Sequence, residues 1–219
     1  MKQDNMSETP QDDIATFSAK YGAKDWMGFL NAKKVRYTDL RFGMEYVADP
    51  AFLPVLKDAL SLAKDDDLYE NEGGTNALMW AALGGMVGAK LNMLKQLHSK
   101  WVTNNICKTD TNGATPLHYL AYSYDDDPEN INLLIKWGVS LNARTKDEGR
   151  SALHEHAIYN YNDCNAMRIV ALLSHHPDIF NDFEGNTPAY YESKHGWVDR
   201  STDIAYYQGR WHAQKNRSE

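Results

Sequence analysis

Cysteine is scarce: two in 219 residues, Cys107 and Cys164, with no CxxC pair. That excludes a disulfide framework and the spacing of a zinc site, and leaves two reduced, partly buried thiols as the expectation. No apolar run reaches membrane-spanning length. The opening MKQDNMSETPQDD has neither the basic nor the apolar region of a secretory signal, so a cytoplasmic location is expected, in the producing cell or in a recipient cell. Basic residues are the minority, 23 against 30 acidic ones, for a net charge of -7. That field repels phosphate backbones and anionic lipid, so neither nucleic acid nor a membrane surface is expected as partner. GxxxxGK[ST], GxSxG and HExxH are all absent, which removes the usual phosphate, acyl-transfer and zinc-protease signatures. No cofactor or metal is expected. Sustained strand-type alternation is missing too, which points to an all-α chain.

What the sequence does have is a repeat. Four segments begin with glycine and run into a short helical pattern: GTNALMWAALGG from Gly74, GATPLHYLAYSY from Gly113, GRSALHEHAIYN from Gly149 and GNTPAYYESKHG from Gly185. Their fifth residues, Leu78, Leu117, Leu153 and Ala189, follow one another at 39, 36 and 36 residues. A weaker copy, RYTDLRFGMEYV, places Leu40 one period upstream. Apolar helical runs follow from Ala51, Ala89, Glu129 and Asn165, and Leu91, Leu94, Leu97 and Trp101 have the spacing of one buried helix face. Asp49 and Pro50 read as an N-cap with proline at the first helical position.

These segments resemble the ankyrin repeats, most fully at Thr115, Pro116, Leu117 and His118, then Leu133, Leu134, Gly138, Leu141 and Asn142, with a second good copy in Ser151 to His154. Arg41, Met79 and Tyr190 depart from the histidine position, and His156 stands where a small residue is expected. The resemblance implies an all-α solenoid of stacked helix-turn-helix pairs, four to five repeats near 36–72, 73–111, 112–147, 148–183 and 184–212. Residues 1–35 would form an N-terminal tail and helical cap, and 213–219 a C-terminal tail. The recurrent histidines then read as structural, since a catalytic base has no reason to reappear at the repeat period.

Partner binding is the function the resemblance implies. The residue two after each motif leucine is expected to face the concave groove, giving the row Phe42, Trp80, Tyr119, Glu155 and Tyr191, extended by Tyr122, Tyr159 and His195. Spacings of 36 to 39 exceed the family period of about 33, and the additions fall in SYDDDPEN and YNYNDCNA, where Asp125, Asp126, Asp127 and Tyr161 would form a second contact edge. The reading is a non-enzymatic protein-interaction module, in the setting of a bacterial effector or of an immunity protein neutralising a basic toxin. The rival reading is a small enzyme with a site at Cys164, His154, His156 and Asp163.

Overall fold

The computed structural model describes residues 37–46, 50, 53–69, 73–123, 127–159, 171–172 and 181–194. In chain order its helices are α1 (Tyr37–Tyr46), α2 (Leu53–Leu62), α3 (Ala77–Leu83), α4 (Val87–Leu97), α5 (Ser99–Asn105), α6 (Pro116–Ala121), α7 (Glu129–Trp137), α8 (Ala152–Ile158) and α9 (Pro188–Lys194). A short 3-10 turn, Asp65–Leu68, follows α2. No strand forms among the described residues, where a single antiparallel bridge pairs Tyr69 with Asn76.

Each glycine-led motif begins its helix by local chemistry. Gly74, Gly113, Gly149 and Gly185 all take positive φ. At Gly113, φ is +86° and a Cβ would stand 2.9 Å from the Arg144 carbonyl oxygen, so only glycine suits this turn. The residue before each helix then caps it. The Asn76 side chain accepts from the Leu78 and Met79 amides at the start of α3, while Thr115 and Ser151 open α6 and α8. Pro116 supplies a fixed φ where no amide donor is needed.

The helices pack in two layers. In one, α1 lies on α3, α3 on α6, α6 on α8, and α8 on α9. In the other, α2 lies on α4 and α4 on α7, with α1–α2, α3–α4 and α6–α7 joining the layers. Leu40, Leu78, Leu117 and Leu153, at the repeat spacing, are all buried between them. Lys90 of α4 is also buried, and its Nζ donates to the Met44 carbonyl at 2.6 Å, near the C-terminal end of α1 where a cation suits the unpaired carbonyls.

Pro50 takes a 3-10 conformation, and Asp49, its expected cap, falls outside the described residues. One boundary differs from the sequence reading. The run from Ala89 to Trp101 is not one helix, because His98, at φ -129° and ψ 43°, separates α4 from α5. Its Nε2 donates to the Leu60 carbonyl at 2.8 Å, tying the break to the end of α2.

Candidate functional site

The row expected along the groove turns mostly inward. Trp80 is 1% exposed, and its Nε1 donates to Thr75 Oγ1 at 3.1 Å. Tyr119 is half-buried and its hydroxyl donates to Asp110 Oδ2 at 2.9 Å, while Asp110 Oδ1 accepts the Ala114 amide at 2.8 Å. Tyr191 repeats the arrangement: it is buried, and its hydroxyl donates to Asp182 Oδ2 at 2.6 Å, with Asp182 Oδ1 accepting from the Glu184 and Asn186 amides. Burial alone would raise the Asp182 carboxyl, but the Tyr191 hydroxyl and those amides outweigh it and hold the group below its usual range. Glu155 is 2% exposed. Trp80, Tyr191 and Glu155 are therefore packed groups in this structure, not open anchor surfaces. The physical reason is that α3 is enclosed by α1, α6 and α4, and α8 lies between α6 and α9, so nearly every residue of each is covered.

Among the described residues the exposed aromatic rings are Phe183, on the turn before α9, Tyr190, in the first turn of α9, and Tyr122. Tyr122, 40% exposed, caps α6, and Tyr159, half-buried, caps α8. Their rings meet edge to face, 4.5 Å between centroids. The Tyr122 hydroxyl is a hydrogen-bonding neighbour of the Glu155 carboxylate. Burial and that carboxylate push the phenol upward, so it stays a donor. Burial likewise raises Glu155 to about 7, against the opposing pull of Arg150. Asp127 is exposed, and its Oδ1 accepts the Glu129 amide. Phe42 lies on α1 with its side chain outside the described residues, as are Asp125, Asp126, Tyr161 and His195.

The two motif histidines bind the layer together. His118 Nδ1 accepts the Thr115 amide at 3.1 Å and the Thr115 hydroxyl at 2.9 Å, so the proton sits on Nε2, which donates to the Arg150 carbonyl at 3.2 Å. His154 does the same with Ser151 and with the Asn186 carbonyl at 3.3 Å. Each ring needs to be neutral to accept at Nδ1, and burial lowers both, His154 to about 4. His154 thus has both nitrogens committed to neighbouring backbone and hydroxyl groups, and His156 of the enzyme reading is fully buried on α8. Cys164 and Asp163 of that reading lie outside the described residues, and Cys107, expected to be partly buried, is exposed.

The histidine geometry makes a pH prediction. The unfolded chain takes up a proton near pH 6.5, and folded His154 only near 4. The contribution is whole above pH 6.5 and is lost as pH falls toward 4. Glu155, raised in the fold, slopes the opposite way between its ordinary value and about 7, but it does so equally in a His154→Gln variant. The urea-midpoint difference between wild type and His154→Gln therefore grows from pH 4 to 6.5; a difference constant across that range would sink the assignment.

Sequence reasoning missed Asp110, Asp182 and Arg150. The signal for the first two was available: DTNG at Asp110 and DFEG at Asp182 each stand nine residues before a tyrosine. Arg150 pairs with Glu148 at 2.7 Å, donates to the Tyr191 hydroxyl at 3.3 Å and lies over its ring at 5.1 Å. Among the described residues there is no group of three or more His, Cys, Asp or Glu that could hold a metal ion. No helix among them is long and apolar enough to cross a membrane.

The sequence model of the ankyrin repeat matches residues 112–146, the stretch that contains α6, α7 and the first of the two histidine devices. That stretch is an ankyrin repeat, and the match supports an ankyrin-repeat protein. No curated protein matches it. Ankyrin repeats generally mediate protein binding.

Proposed function

We propose that the chain is a non-enzymatic protein-interaction module, a solenoid of four to five ankyrin repeats over about residues 36–212 with a helical cap before it. The observation that carries this reading is the pair of exposed Tyr122 and half-buried Tyr159 beside the buried Glu155 carboxylate, because partly exposed aromatic rings concentrate binding energy. The partner docks on that edge and on the two inter-helix insertions, with Asp125, Asp126, Asp127 and Tyr161 at their side. A net charge of -7 favours a basic partner and speeds its encounter. The setting is cytoplasmic, and the charge suits an immunity protein facing a basic toxin better than it suits an effector.

The test is affinity capture by the intact protein and by Tyr122→Ala/Tyr159→Ala, after thermal melts confirm that the variant is folded. A stoichiometric partner held by the first and released by the second supports the module. A partner retained equally by both, or no partner from the native or the recipient-cell lysate, overturns it.

A further inference from the structure

We propose that the Tyr122–Tyr159 edge between α6 and α8 receives an arginine side chain from a basic partner segment, its guanidinium stacked against the tyrosine rings and paired with the Glu155 carboxylate. The inference rests on the interaction-module reading above and names the chemistry of its partner.

Glu155 supplies the first argument. Its Oε2 is buried without a hydrogen-bond partner, and an unsatisfied carboxylate withdrawn from water is costly. Arg150 acts on it by charge, but the Nη1 and Nη2 groups of that guanidinium donate to Glu148 and to the Tyr191 hydroxyl. An incoming cation completes the site. The route to it passes Tyr122, whose exposed ring rotates away from the carboxylate as the guanidinium takes over the role of its hydroxyl. The surroundings supply the second argument. Asp147 and Glu148, both exposed on the turn before α8, act on Glu155 with the same sign of charge, so three acidic groups stand here against the one opposing cation, Arg150, and a second cation is favoured.

Arginine fits better than lysine because a planar guanidinium both stacks on an aromatic ring and grips a carboxylate. The chain already contains the arrangement one repeat on. There Arg150 lies over Tyr191, whose hydroxyl is held by Asp182.

A pH signature follows. Arg150, Glu148, Asp147 and Tyr122 act on Glu155 directly; the other titratable groups of α8 and of the elements packed on it are His118 and Tyr119 of α6, His154, His156 and Tyr159 on or beside α8, and Tyr190, Tyr191 and Lys194 of α9. Burial keeps His118 and His154 neutral near neutral pH. Since Glu155 titrates at about 7, its ionised fraction rises about tenfold from pH 6 to pH 8, and affinity for a cation rises with it by about the same factor.

The experiment titrates the isotope-labelled full chain with the peptide acetyl-GRGGRG-amide, with its citrulline counterpart and with its lysine counterpart, reading the Tyr122 and Tyr159 ring resonances. Expected are saturable shifts with arginine, at least about tenfold weaker binding of citrulline, weaker binding of lysine, and about tenfold tighter arginine binding at pH 8 than at pH 6. Glu155→Gln should weaken binding about tenfold at pH 8 and remove the pH dependence, and Tyr122→Phe should keep the stacking shifts. Equal binding of citrulline, equal binding of lysine, or an unchanged pH trend in Glu155→Gln overturns the inference. If captured partners depend on the two tyrosines while the peptides show no arginine preference, the arginine inference alone fails. If capture fails as well, the module reading falls with it.

Discussion

Replacing Trp80 with alanine lowers the unfolding free energy by about 3–5 kcal/mol, as expected for removing the largest side chain of a filled core. The ring is 1% exposed on α3, the helix that touches α1, α4 and α6, so the void opens where two layers meet. Three helices cannot all move in to close it, which places the loss toward the upper end of the range. The Thr75 hydroxyl also loses the indole N–H that it accepts. Urea unfolding followed by far-ultraviolet circular dichroism measures the effect as a lower midpoint at unchanged slope. A midpoint within experimental error of wild type would mean that the ring is not packed as described. The same result bears on function: loss of partner binding in a Trp80 variant would report unfolding, so binding tests belong on Tyr122 and Tyr159.

Gly84→Ala is the second large effect, about 2–4 kcal/mol, and it comes from crowding rather than from a void. A Cβ at Gly84 would stand 2.3 Å from the Glu45 carbonyl oxygen and 2.5 Å from that of Met44. Both are backbone atoms at the end of α1, so no side-chain rotation relieves the contact and α1 has to move away from α3. Gly84 also ends α3, and its own carbonyl accepts the Ser123 hydroxyl at 3.0 Å, so displacement reaches the end of α6 as well. A drop of roughly 8 °C or more in the thermal midpoint is expected. Wild-type stability in Gly84→Ala would show that α1 does not approach this closely.

Much of the helical plan was legible because each unit needs the same few parts. The turn glycines, Thr115 with Pro116, and Ser151 announced where α6 and α8 begin, and the motif leucines announced the core. The structural part of the two histidines followed from their recurrence. The orientation of the aromatic row was not legible. Position along a six- or seven-residue helix fixes a side chain's direction, but exposure depends on how many neighbours enclose that helix, and a linear sequence does not state that. Trp80 and Tyr191 therefore read as surface and pack as core, whereas Tyr122 and Tyr159, at helix ends where enclosure stops, keep exposed area. The break at His98 was hidden for a related reason: the apolar spacing of Leu91, Leu94, Leu97 and Trp101 continues through it although the helix does not.

The histidines also say how the proposed array would come apart. Thr115 to His118 is a bond within one unit, but His118 to the Arg150 carbonyl, and His154 to the Asn186 carbonyl, each join a unit to its successor. In a linear array, stability divides into the worth of each unit and the worth of each junction. Protonating a ring strikes both at once, because the nitrogen that accepts inside the unit and the one that donates outside it belong to a single tautomer. Mild acid should therefore act as a decoupling agent, turning one all-or-none transition into a staggered melt in which the units on either side of α8 let go separately.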